Sequence, residues 1–269
     1  MEVKPKLVLI ASEIASITKH NPYVALTETL HKVHHRNPWL YNTTGVKQEQ
    51  HFNSGIDKKL STLDTELKQK IKMELAMPNA TDMQLSKKIH TIVGDAVNIH
   101  GGEKSSKEVL QKNATKAVLD SALGVEIEHE CRKRRGTACE KRSLDRAEIS
   151  MRSKIAERNS KMYNKKLFEH DMCDVWIFGK MDGRDDRGNV VETKNRRNRL
   201  FSKIPSYEKV QLEMYMWMTS TKECTHIELH DDRQNIVTYH RDDELWKEIC
   251  LKINLFVDSL FNATIDEVL

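Results

Sequence analysis

One stretch constrains this chain more than any other: Val175 to Met218, centred on Gly179-Lys180-Met181-Asp182-Gly183 and the following Val190-Val191-Glu192-Thr193-Lys194. Val175-Trp176-Ile177-Phe178 is a short apolar run bounded by an acid and a glycine, the pattern of a buried strand. Gly183 to Asn189 is rich in turn formers and predicts a hairpin loop, with Val190 to Lys194 as the return strand. Residues two apart in a strand point the same way, so Glu192 and Lys194 share a face. Asp182 ending one strand, with Glu192 and Lys194 on the next, brings two carboxylates and an ammonium to one point. That set suits a hard divalent cation with oxygen ligands, flanked by a lysine.

An Asp-Gly turn and an exposed Glu-x-Lys pair are also ordinary structural features. The continuation tips the balance toward chemistry. Val210 to Met218 has the apolar period of a helix and carries Gln211 and Tyr215 one turn apart. The order strand, Asp-Gly, strand, Glu-x-Lys, helix with Gln resembles the PD-(D/E)xK nuclease superfamily. Within it, the pattern is most similar to the lambda exonuclease branch of YqaJ-type viral recombinases.

The chain of 269 residues has room for one large domain or a core with an elaboration. Its net charge of +4 is small, so local basic clusters matter more than the total. No run of 18 apolar residues suggests a membrane span, and Leu7-Val8-Leu9-Ile10 is too short for a signal-peptide core. The cysteines are odd in number (Cys131, Cys139, Cys173, Cys224, Cys250) and scattered, without zinc or iron–sulfur spacing. An intracellular protein of the cytoplasm or nucleus, in a reducing compartment and without a membrane partner, is the expectation.

Ser12 and Glu13 open an apolar-periodic segment, so Ser12 is predicted to cap a helix, which Asn21-Pro22 ends. Ala11-Ser12-Glu13-Ile14-Ala15 with Asn21-Pro22-Tyr23 is similar to the N-terminal signature of the same branch, where the serine helps hold a DNA 5′-phosphate. Lys4 and Lys6 stand where that signature has an arginine. His31, His34 and His35 lack a fixed-spacing carboxylate and are expected on the surface. Residues 58–78, 81–99 and 105–131 are predicted helices, so 31–125 is set apart as a helical insertion or subdomain. The basic run Arg132-Lys133-Arg134-Arg135 leads into a helix expected to reach about Ser160. Further on, Arg196, Arg197 and Arg199 form a second basic cluster beside the acids, suited to phosphates. Residues 224–230 and 236–240 read as paired strands, and 242–261 as a closing amphipathic helix. Trp217 and Trp246 are expected to pack rather than to stack on bases.

The resemblance implies an α/β, restriction-endonuclease-like core: a central mixed sheet flanked by helices, over 126–269, with 1–30 packed on it. It implies that Asp182, Glu192, the Thr193 carbonyl and Glu140 hold Mg²⁺, with Mn²⁺ able to substitute, and that Lys194 and Gln211 act on the attacking water. It implies Ser12, Arg134, Arg135, Arg196 and Arg197 as contacts to nucleic acid. The activity implied is a 5′–3′ exonuclease on double-stranded DNA ends that leaves 5′-phosphates. A ring-shaped homotrimer and a single-strand annealing protein are the partners that go with it. Three alternatives stay open: a metal-dependent DNA endonuclease, a cap-snatching-type RNA endonuclease with His129 as a further ligand, and a catalytically silent nucleic-acid-binding protein.

Overall fold

The computed structural model describes residues 3–44, 69, 140–196 and 199–262. The chain divides into two compact units, Met1–Gln50 with Ser143–Leu269, and His51–Arg142. The first unit carries the strands and helices from Lys6 to Thr44 and from Met162 to Phe261. Residues 31–44, set above with the helical insertion, belong to it.

The first unit opens with strand β1 (Lys6–Ile10), a 3₁₀ turn (Ala11–Glu13) and the short helix α1 (Ile14–Ile17), followed by α2 (Leu26–Arg36) and α3 (Trp39–Thr44). Asn37, between α2 and α3, accepts from the Val8 amide and donates to the Val8 carbonyl, so this helical corner is stitched to the edge of β1. Helix α4, described over 140–151, comes next and belongs to this unit from Ser143 onward. Strands β2 (Met162–Glu169), β3 (Asp174–Lys180), β4 (Gly183–Arg184) and β5 (Val190–Asn195) follow, then α5 (Ser206–Thr219), the hairpin β6 (Glu223–His230) and β7 (Arg233–His240), and α6 (Asp243–Phe261).

These strands form two mixed sheets flanked by helices, ordered β1-β3-β2 and β4-β5-β6-β7. β1 runs parallel to β3, and β5 parallel to β6. Parallel neighbours need covering on both faces, and the burial follows: β6 is buried along almost its whole length. The main core joins Leu7, Leu9, Val175 and Ile177 from the first sheet to Val210 and Met214 of α5 and Ile249 and Ile253 of α6. Each such side chain contributes about 1.5–3 kcal/mol by leaving water. Asp242 caps α6 by accepting from the Leu245 amide at 3.0 Å. Trp217 and Trp246 stack on each other with centroids 5.5 Å apart, in keeping with their expected packing role.

Several sequence expectations need correcting here. β3 and β5 are not the two arms of one hairpin. The chain leaves the first sheet after Lys180, and β5 pairs instead with the two-residue β4. The turn between them is built on Asp185, whose carboxylate accepts from the amides of Arg187 and Asn189, with Gly188 at φ +81°. Asp182 is therefore left at the crossing from one sheet to the other. Helix α4 ends at Met151 rather than near Ser160, because Arg152 turns left-handed at φ 51° and Glu148 accepts from the Ile155 amide. This aims Ile155 into a second cluster with Leu144, Ala147, Val191 and Ile227. Ser12 makes no capping hydrogen bond: it lies exposed in the 3₁₀ turn, and Ile10 holds the cap position. His34 is buried rather than on the surface, its Nδ1 3.0 Å from the Leu30 carbonyl. Burial lowers its pKa.

Candidate active site

Glu192 and Lys194 project from β5 on one face, as strand alternation requires, with Lys194 Nζ 2.7 Å from Glu192 Oε1. Helix α5 lies over that face. Its Gln211 accepts from Lys194 at 3.1 Å and donates to the same Glu192 oxygen at 3.1 Å. One turn later, Tyr215 accepts from the Gln211 amide at 2.8 Å and donates to the Lys180 carbonyl at 2.9 Å. The Tyr215 hydroxyl thereby fixes which end of the Gln211 amide meets the ammonium. It also ties α5 to the end of β3, two residues before Asp182. Gly179 permits this approach: a Cβ there would lie 2.8 Å from Tyr215 Cε1 and 2.6 Å from Met218 Cε.

Asp182 is half-buried beside β5, where its Oδ2 accepts from the Thr193 amide at 2.7 Å and the Thr193 hydroxyl at 2.8 Å. Glu192 Oε1 is doubly bonded, but the buried Oε2 has no hydrogen-bond partner among the described residues. Burial, followed by the nearby Asp182 charge, pushes the Glu192 carboxyl up to about 8, even with Lys194 pulling the other way. Burial works to lower the Lys194 pKa, yet the carboxylates of Glu192, Glu208 and Asp182 outweigh it and raise it. Lys194 is thus an ammonium, a donor and not a base. The donor set fits a hard cation: two carboxylates close together, one with a bare buried oxygen.

A second charged cluster continues along the same face. β5 and β6 are in register with Glu192 beside His226 and Lys194 beside Glu228. Arg196 Nη1 and Nη2 donate to the two oxygens of Glu208 on α5, each at 2.7 Å, and Arg196 Nε donates to Glu228 Oε1 at 2.6 Å. His226 Nε2 lies 2.9 Å from Glu208 Oε2, and the Phe201 amide donates to Glu228 Oε2 at 2.9 Å. Burial raises the Glu208 pKa, but hydrogen bonds from His226 and Arg196 outweigh it and hold the carboxyl down at about 2. Glu208, His226 and Glu228 have ligand atoms within 4.8 Å of one another, a spacing a cation would accept. Arg196 already supplies the positive charge there.

Of the residues singled out from the sequence, Asp182, Glu192, Thr193, Lys194 and Gln211 are brought together in the first unit. Glu140 begins the described part of α4 but falls in the unit His51–Arg142. Arg134, Arg135, Arg197 and His129 lie outside the described residues. Arg196, expected to contact phosphates, turns inward instead: its guanidinium is held by two buried glutamates and lies over the Phe201 ring. The sequence reading missed Glu208, His226 and Glu228. For His226 and Glu228 the signal was the alternation in Cys224-Thr225-His226-Ile227-Glu228, a strand that is buried on both faces; Glu208 comes instead from the first turn of α5.

No protein-family model matches this chain, and no curated protein matches it. Among solved structures it is similar to an alkaline exonuclease from Laribacter hongkongensis, with a TM-score of 0.42 and 18% identity over 64% of this chain and 89% of that one. A phage-related exonuclease from Haemophilus somnus 129PT gives a TM-score of 0.38 and 11% identity, covering 74% of this chain and 94% of that one. The structure titled SSO0001 gives 0.33 and 15%, covering 72% and 85%. No helix among the described residues is long and apolar enough to cross a membrane.

Proposed function

We propose that this chain is a divalent-metal-dependent nuclease that hydrolyses phosphodiesters of DNA, working as a 5′–3′ exonuclease at duplex ends. The observation that carries the reading is the Glu192 carboxylate. It is buried and bare on one oxygen, and the other oxygen is gripped by Lys194 and Gln211. A protein bears the cost of such a group where a ligand completes it. Asp182 and Glu192 would hold Mg²⁺ or Mn²⁺, with the Thr193 carbonyl as a further ligand by family resemblance. When bound, the ion supplies a water of lowered pKa and positive charge for the phosphoryl oxygens.

The chain's own residues do the rest. Lys194, kept protonated by the surrounding acids, donates to oxygens on which negative charge grows. Gln211 holds that ammonium in place, and Tyr215 holds Gln211. Cleavage polarity, 5′-phosphate products, a ring-shaped homo-oligomer and a single-strand annealing partner follow from the resemblance to the lambda exonuclease branch. The test compares 5′-phosphorylated linear, 5′-hydroxyl linear and closed circular duplex DNA, in Mg²⁺, Mn²⁺ or EDTA. Metal-dependent loss of the phosphorylated linear duplex, with circles left intact, is expected. Cleavage that persists in EDTA overturns the reading, and nicking of circles makes the enzyme an endonuclease.

A further inference from the structure

Tyr23 is the one aromatic ring among the large hydrophobic side chains exposed in the described residues, with 79% of its surface open. A mobile arm would explain such exposure cheaply, but the turn that carries Tyr23 is pinned. The amides of His20 and Asn21 both donate to the Ala15 carbonyl, at 2.8 and 2.9 Å. Asn21 Oδ1 accepts from the Tyr23 amide at 3.0 Å, and Ser206 Oγ lies 3.3 Å from the His20 carbonyl, tying the turn to the start of α5. The ring itself stands edge-on to Tyr207, with centroids 5.9 Å apart and planes at 87°. The backbone under Tyr23 is therefore fixed, and its ring, packed on Tyr207, keeps 79% of its surface open to a ligand.

Its position supplies a use. Tyr207 sits in the first turn of α5, and Gln211, one turn further along, donates to Glu192. Tyr23 thus contacts a helix residue that lies one turn from the glutamine holding Glu192. The connection leading into α5 carries exposed Arg199 and Lys203, cations suited to a phosphate backbone. Aromatic faces beside cations are how proteins hold unpaired nucleotides without reading their sequence.

We propose that Tyr23 is a stacking platform for an unpaired nucleobase of the strand whose phosphate enters the acid cluster. The inference rests on the nuclease reading above and adds to it a requirement for an unstacked base at the entrance. The test is the affinity of the full-length protein for a fluorescently labelled single-stranded oligonucleotide in EDTA, for wild type and for Tyr23→Ala, Tyr23→Phe and Tyr23→Trp. Removing the ring should weaken binding about 5- to 150-fold, whereas Phe and Trp should retain it. An abasic site moved along the oligonucleotide should, at one position, weaken wild-type binding by the same factor yet leave Tyr23→Ala unaffected. Wild-type affinity in Tyr23→Ala, or additive losses at every abasic position, overturns the proposal. If wild type degrades and binds DNA while these signatures are missing, only the stacking role falls. If wild type binds no oligonucleotide, the stacking role falls too, and only a failure to degrade linear duplex DNA in Mg²⁺ or Mn²⁺ takes the nuclease reading with it.

Discussion

Two acid clusters lie on one face of β5 and β6 under the same helix, and they are completed differently. Around Arg196, every oxygen of Glu208 and Glu228 has a donor: the guanidinium, the His226 ring or the Phe201 amide. Around Lys194, one oxygen of Glu192 takes two donors and the other takes none from the described residues. The carboxyl values follow that difference, with Glu208 held down at about 2 and Glu192 pushed up to about 8. Burial raises both. What separates them is how much hydrogen bonding and positive charge opposes it. A saturated buried cluster holds a structure together, and one left short of positive charge is prepared for a cation.

The sharpest way to break this comparison is to remove the saturating partner. Arg196→Ala should strand two buried glutamates and cost about 3–5 kcal/mol of stability, read from the urea midpoint. A change near zero would mean that the Arg196 cluster is as tolerant as the Lys194 cluster. Glu192→Gln should behave oppositely. Cleavage should fall on the order of 10²–10³-fold, the scale of losing one well-placed electrostatic partner. Its melting temperature should stay level or rise, since a buried carboxyl that resists ionisation has been replaced by a neutral isostere. Destabilisation like that of Arg196→Ala would make Glu192 structural.

Lys194→Ala sharpens the division within the site. Turnover should drop about 10²-fold, while Mn²⁺ binding measured by calorimetry persists, because the lysine donates and holds no metal. Collapse of metal binding would reassign Lys194 as the group that shapes Glu192.

The last contrast concerns pH. Glu208 has a folded value near 2, below its ordinary 4.5, so its stabilisation is present above about pH 4.5 and fades as pH falls toward 2. Glu192 has the opposite sign: its folded value near 8 lies above the ordinary 4.5, so its contribution is present below about pH 4.5 and is lost as pH rises through 8. Metal-free wild type should therefore lose stability between about pH 5 and 8 relative to Glu192→Gln, and added Mg²⁺ should restore it. Parallel pH curves for the two proteins would show that Glu192 is not held protonated.

Much of this arrangement was legible in residue order. The alternation in Val190 to Lys194 fixed Glu192 and Lys194 on one face, and the spacing of Gln211 and Tyr215 fixed their shared side of α5, because both periods are local backbone geometry. The closing helix was equally plain, from the apolar stripe that ends in Phe256, Val257 and Leu260. Pairing was not legible, since a strand's own residues do not say which neighbour it joins. β3 and β5, adjacent in sequence, went to different sheets, and a two-residue strand took the place expected of β3. Nor could sequence decide between two arginine and lysine sites of similar composition. Arg196 reads as a surface cation until α5 folds over β6 and brings Glu208 within 2.7 Å of it. Burial on the second face of β6 is a property of packing between distant segments. That packing turned one basic residue into a structural clamp and left its neighbour's carboxylate bare.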